Sequence, residues 1–386
     1  MWRKALATGA GVPHDGNVVT ETDVRELVRR WDGPVVTSLY LDVDGRRYPR
    51  PSDLAPRLRH LFDLARASAA AQGADATDAV HHDLRRIALW IERELDRTTT
   101  RGVAAFSCAA RDRFAVFPLS GGVRDGVVVG PGPDVAQLCA WASRGRRTLV
   151  VAVDRQGGRM VRLDDGRIEE RGVPVDATER RVDTGVEIGS FERRHEELAR
   201  QHLRHVARAV ADELEAWRAD AVVLSGLEEN LAQFERQLPD HVLALVQGRL
   251  RLPVATDPVD LARAAGEVVR AAERQRLDEL VGELRGRSAQ GASAVTGLGP
   301  VLEELGEGRV GTLLVEEGFD VPGIRCPDCG RLAPGGDSCP RCGSTPLAVE
   351  HVVEAAVHEA FAHHVTIEFV EPAGFEGLGR IGALGR

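Results

Sequence analysis

The chain has 386 residues, 43% hydrophobic and 28% charged, which fits a soluble globular protein of two or three domains and excludes fibrous and disordered classes. A formal net charge of −9 excludes a protein whose whole surface grips nucleic acid, so DNA is not an expected partner. No apolar run approaches membrane-spanning length, and Met1 to Asn17 lacks the apolar core of a signal peptide, so no membrane partner is expected either.

The first segment, expected over 1–143, opens its regular structure with a strand at Val35 to Val43. Apolar residues at helical spacing predict helices over Leu54 to Ala71 and Val80 to Leu95, separated by a polar break at Gln72 to Asp78. Gly102 to Ser107 and Arg113 to Leu119 read as a strand pair, and a short helix containing Trp141 follows Pro133. The loop Arg46-Arg47-Tyr48-Pro49-Arg50 joins cations to an aromatic. It reads equally as an RNA contact or as a plain surface loop.

The second segment, expected over 144–256, starts with Thr148 to Val153, a continuous apolar run that predicts a strand buried on both faces. Two returning strands, a polar stretch from Asp176 to Ser190 and a long amphipathic helix follow. That helix is expected to bury Leu198, Leu203, Val206, Val210, Leu214 and Trp217. Arg193, Arg200, Arg204 and Arg208 share roughly one face beside several glutamates. This favours a solvated, salt-bridged face over a phosphate-binding one. Ala221 to Ser225 is a further buried strand, giving a mixed sheet like that of ribonuclease H. Asp154 sits where such a nuclease places a metal-binding Asp, but Arg155 and a Gly-Gly turn follow it, so it reads as a turn former.

The third segment, expected over 257–386, alternates helix and strand as a small α/β sandwich and ends in a Gly-rich tail. A zinc ribbon, 324–346, interrupts it. Cys326-Pro-Asp-Cys329 and Cys339-Pro-Arg-Cys342 are matched knuckles, each followed by glycine. Four soft thiolates fill a tetrahedral Zn²⁺ shell and leave no place for an activated water, so the expected role is structural. The other cysteines, Cys108 and Cys139, lie in apolar surroundings and read as buried thiols. The whole pattern suits a reducing compartment, the cytoplasm. Gly377-Leu-Gly379-Arg-Ile-Gly382 matches a dinucleotide fingerprint but lacks a following helix. His358 and His363 are five apart, which sends the two rings to different helix faces and excludes a zincin pair. They read as solvent-facing or strand-leading histidines.

The order of these pieces resembles the bacterial branch of the archaeo-eukaryotic class I release factor superfamily. The resemblance is carried by Ser38 to Val43, by Val150 to Asp154 with Ser225-Gly226, and by Ala294 to Leu298. Gly308 to Val315, the ribbon and the tail Gly379 to Leu384 complete it. It implies an N-terminal α/β domain near the decoding centre, a ribonuclease H-like middle domain, and a C-terminal domain like the kink-turn-binding ribosomal proteins. Release factors carry Gly-Gly-Gln before the long middle helix. Here the expected loop 176–194 holds Gly189, Ser190, Phe191 and Glu192 instead, with Glu192 where the related Vms-type peptidyl-tRNA hydrolases place Gln. No Asn-Ile-Lys-Ser stands between the first-domain helices. The chain in this respect is similar to Balon-type ribosome hibernation factors. That likeness implies occupancy of the ribosomal A site in company with EF-Tu, without catalysis. Arg46, Arg47, Arg50, Arg193 and Arg194 would contact ribosomal RNA, and Gly189 to Glu192 would face the peptidyl-transferase centre. The enzymatic alternative is a peptidyl-tRNA hydrolase of ribosome rescue or quality control. A phage- or host-surface interaction protein is a third reading.

Overall fold

The computed structural model describes residues 19, 21–31, 35–144, 147–155, 157–164, 167–172 and 188–386. Two compact units emerge where three successive domains were expected. One joins Met1–Ser143 to Leu277–Arg386; the other is Arg144–Arg276.

In the first unit, α1 (Glu21–Arg30) precedes β1 (Val36–Asp42), α2 (Leu54–Gln72), α3 (Ala74–Arg93), β2 (Gly102–Cys108), β3 (Arg113–Leu119), β4 (Gly126–Gly130) and α4 (Ala136–Arg144). The strands form an antiparallel sheet in the order β3-β2-β1-β4. The polar break expected at 72–78 shrinks to Gly73, whose φ of +116° turns the chain, and the Thr77 hydroxyl donates back to the Gly73 carbonyl at 2.9 Å within the first turn of α3. β1 is buried along its whole length. Leu39 and Leu41 pack on Leu54, Leu61 and Ile87 of α2 and α3. Val36 and Tyr40 face the other way, into a cluster that also contains Leu138, Val301, Leu313, Val353 and Val357. The first and third sequence segments therefore share one core. Each fully buried aliphatic side chain in it contributes about 1.5–3 kcal/mol of transfer free energy.

The second unit contains β5 (Thr148–Val153), β6 (Gly158–Asp164), β7 (Arg167–Gly172), α5 (Ile188–Trp217), β8 (Ala221–Ser225), α6 (Glu228–Glu235), α7 (Asp240–Leu243), β9 (Val246–Leu250) and most of α8 (Pro258–Ala289). The sheet order is β7-β6-β5-β8-β9; β5 runs antiparallel to β6 and parallel to β8, and β9 is parallel to β8. This is the mixed sheet that the strand pattern predicts. Leu149, Val151 and Val153 pack against Leu203, Val206, Val210 and Leu214 of α5. Val150 and Ala152 pack against Leu261 and Ala265 of α8. Helices on both faces explain why β5 has no polar alternation. Leu198, expected in the core, is 38% exposed, because the buried stripe of α5 begins only at Leu203.

The chain closes with β10 (Ala294–Thr296), α9 (Leu298–Gly306), β11 (Val310–Glu316), β12 (Gly323–Arg325), β13 (Leu332–Ala333), β14 (Leu347–Val349), α10 (Val352–Ala362), β15 (Thr366–Val370) and β16 (Ile381–Gly385). One sheet runs β10-β16-β11-β15 and a small one β13-β12-β14. The Gly-rich tail is thus a strand, and an interior one. Glycine at 382 answers a close approach, since a Cβ there would stand 2.3 Å from Leu284 Cδ2. The fingerprint-like glycines are turn residues: Gly377 and Gly379 have φ of +78° and +72° just before β16.

Candidate metal centre

The two cysteine pairs sit on knuckles with the same backbone. Gly330 N donates to Cys326 O at 3.0 Å, and Gly343 N donates to Cys339 O at 2.9 Å. Both glycines are left-handed, with φ of +74° and +78°, which is why glycine follows each pair. Cys326 N bonds Arg331 O and Cys339 N bonds Ser344 O, closing each knuckle one step further out. The strands β12, β13 and β14 hold the first knuckle, and the folded sheet brings the second onto it.

All four sulfurs lie within 4.8 Å of one another. Cys326–Cys342, Cys329–Cys339 and Cys342–Cys329 are 3.4, 3.6 and 3.7 Å apart. Zn–S bonds of about 2.3 Å in a tetrahedron require sulfur separations of about 3.8 Å, so the set fits one such ion. The neighbouring groups shift the thiols in opposite directions. The Ser344 hydroxyl and amide bring the Cys342 thiol down to about 6. Amides of Cys342 and Arg341 lower Cys339. The Cys329 amide also lowers Cys326, but burial and the neighbouring Cys342 and Cys329 sulfurs prevail and push it up to about 12. Four thiolates this close need a cation between them.

The other expected contacts are dispersed. Arg46, Arg47 and Arg50 lie on the exposed turn after β1. Asp44 Oδ1 accepts the Arg46 amide at 2.9 Å and fixes the turn. Arg47 pairs with the buried Asp42 at 3.0 Å, and Tyr48 lies 3.7 Å under the Arg57 guanidinium. The loop is thus built, with Arg46 and Arg50 left pointing to no described acceptor. Gly189, Ser190, Phe191 and Glu192 fall in the first turns of α5, which begins at Ile188. They are helical where a loop to residue 194 was expected. Their side chains and those of Arg193 and Arg194 lie outside the described residues, as does 173–187. Further along α5, Arg200 and Arg204 pair with Glu197 at 3.5 and 3.0 Å, the salt-bridged face that the sequence favours. Asp154 accepts the Gly157 amide at 2.6 Å and shapes the turn as expected. Cys108 and Cys139 are both buried.

His358 departs from its expected solvent-facing role. Its Nε2 bonds the Pro133 carbonyl and stands 3.4 Å from Glu354. Glu354 accepts the amides of Val135 at 2.5 Å and Ala136 at 3.1 Å, where α4 begins. Burial and the Glu354 charge raise the Asp134 pKa well above its ordinary value. Glu354 and His358 are four apart on α10, a spacing visible in the sequence, but their partners come from the opposite end of the chain.

Two α/β units with a four-cysteine centre on the small β13-β12-β14 sheet define a protein with a closed metal-binding knuckle. Residues 133–277, rather less than half of the chain, match the family model for bacterial archaeo-eukaryotic release factor family 10. That stretch is similar to the family which the sequence resemblance points to. Among solved structures, the archaeal translation termination factor aRF1 is 15% identical, with 97% of this chain and 100% of that one covered at a TM-score of 0.26. Ribosome-bound archaeal Pelota, solved with ABCE1, is 14% identical over 74% and 77%, at 0.40. S. cerevisiae Dom34, described as a translation termination-like factor that interacts with Hbs1, is 7% identical over 74% and 80%, at 0.41. No curated protein matches the chain. Among the described residues, no helix is long and apolar enough to cross a membrane.

Proposed function

We propose that this is a ribosome-binding, release-factor-like protein of the cytoplasm that occupies the A site without reading stop codons and without hydrolysing peptidyl-tRNA, as a hibernation factor does. The family match over 133–277 carries the ribosome part of the reading. The chemistry part rests on the sequence from the end of β7 into the first turns of α5, where no Gly-Gly-Gln occurs and Glu192 stands in place of Gln. A Gln side chain offers a donor and an acceptor, whereas an ionised Glu only accepts. A carboxylate there also opposes the negative charge that develops on the attacked carbonyl oxygen and on the leaving ribose oxygen. Zinc at the four cysteines holds the ribbon and takes no part in chemistry. EF-Tu is the delivery partner in this reading.

Two measurements test it. Co-sedimentation with ribosomes should weaken as salt rises, because phosphate contacts release counterions. Replacing Arg46 and Arg50 together by Ala should reduce the salt slope by up to about 2, at about 0.9 per phosphate contact. Adding Arg47→Ala should change little more, since Asp42 already holds that side chain. Unchanged sedimentation of the double variant across the salt series removes the loop from the interface. Peptide release from ribosome-bound peptidyl-tRNA should stay at background for the parent and for Glu192→Gln. Release by the parent that Glu192→Ala abolishes would instead establish the hydrolase.

A further inference from the structure

Beside the cysteine knuckles, a cleft of about 470 Å³ opens between the ribbon and α10. Its lining is strongly cationic for a chain of net charge −9. Arg325 closes β12, Arg331 precedes β13, Arg341 belongs to the second knuckle, His358 and Glu359 come from α10, and His363 directly follows it. We propose that this cleft is a binding site for a phosphoryl group, carried either by a free nucleotide or by the backbone of an RNA strand.

The charges around the cleft do not cancel. Glu307 is shared by Arg331 at 3.0 Å, Arg341 at 3.6 Å and Arg309 at 3.8 Å. One carboxylate thus serves three guanidinium groups, and Arg309 has Glu304 as a further partner. Arg325 is exposed, and no described residue accepts a hydrogen bond from its guanidinium. Arg331 is only 11% exposed and is fixed by Glu307 and the Glu303 carbonyl, so the cleft has a preset wall. His358 is anchored from behind by Glu354 and the Pro133 carbonyl. Glu359 is the one lining acid. Burial raises its pKa, with His363, Arg325 and Arg331 pulling the other way.

Planar guanidinium forks on different elements suit an anion with several oxygens spread in three dimensions, which a phosphoryl group is and a carboxylate is not. The volume also falls within the range of small-ligand sites and exceeds what one anion fills, leaving space for the remainder of a nucleotide. The site stands independently of the ribosome reading, because every residue in it belongs to the ribbon, α9 or α10.

Calorimetric titration of the full, metal-loaded chain at low salt tests the assignment. The probes are inorganic phosphate, adenosine diphosphate, a short single-stranded RNA and an acidic peptide. Phosphate and adenosine diphosphate binding identifies the free source; binding of RNA alone identifies the strand. In either case Arg325→Ala and Arg341→Ala should each weaken binding about tenfold, the loss of one charge-assisted contact. Both side chains are exposed, so both variants should fold, which circular dichroism and the metal content check. Glu359→Gln should tighten binding severalfold by removing the charge of the one acid that lines the cleft. The proposal fails if no phosphoryl probe binds, if the acidic peptide alone binds, or if binding ignores both arginine substitutions.

Discussion

The Glu354 carboxylate on α10 accepts the Val135 amide at the head of α4 at 2.5 Å, across 219 residues of chain. With the Ala136 amide as second donor, it serves α4 as a helix cap supplied from the far end of the sequence. The bond explains how the first and third segments lock into one unit around a common core.

Glu354→Ala should therefore destabilise the first unit by about 2–4 kcal/mol, since it leaves the Val135 and Ala136 amides without their acceptor and His358 without its carboxylate neighbour. Glu354→Gln, which keeps one acceptor oxygen, should cost less. Urea unfolding followed by tryptophan fluorescence in a Trp217→Phe background, which removes the tryptophan of the second unit, reads this. A loss below about 0.5 kcal/mol for the alanine variant would mean that water caps α4 equally well.

Asp134, beside that carboxylate, should make stability depend on pH. Burial and the Glu354 charge raise its folded pKa well above 3.8. The folded chain then holds a proton that the unfolded chain has already lost. Stability falls as pH climbs from the unfolded pKa towards the folded one. Asp134→Asn keeps a donor towards Glu354 and removes the titration. Its stability relative to the parent should rise as pH climbs above the unfolded carboxyl value and level off once the folded Asp134 has lost its proton. Parallel stability curves for the two proteins would refute the shared proton.

Freshly purified protein should contain about one zinc per chain, and Cys326→Ser should lose most of it. Hydrogen exchange should quicken over β12, β13 and β14 while β5 and β8 stay protected, because metal binding here is local folding energy. Zinc affinity should fall as pH is lowered, since each bound thiolate competes with a proton. A metal content far below one, or exchange that quickens equally in β5, counts against the site.

Gly382→Ala should cost about 1–3 kcal/mol by overpacking, since the added Cβ would meet Leu284 Cδ2 at 2.3 Å. In the Leu284→Ala background the same change should cost much less. A double-mutant cycle gives the coupling, and strict additivity would show that the tail strand does not approach α8 this closely.

Sequence alone determined what is periodic or locally spaced. The four cysteines were legible because a knuckle needs only a few consecutive residues and a glycine after the second thiol. β1, β5 and β8 were legible from unbroken apolar runs, and the mixed middle sheet from the order of strands and helix. What depended on distant neighbours was not. The strand at Ile381–Gly385 was hidden because its glycines answer to Leu284 and Ser293 rather than to a strand propensity. α5 reaches back to Ile188, so the four residues read as a loop lie on helix. His358 reads as a surface residue until Pro133 is placed against it. The cationic cleft is assembled from a strand end, a knuckle and a helix whose side chains converge only after the ribbon has folded onto α10. Tertiary structure alone decided that the two ends of the chain share a core, because the apolar faces of β1 and β11 carry no mark of which partner will cover them.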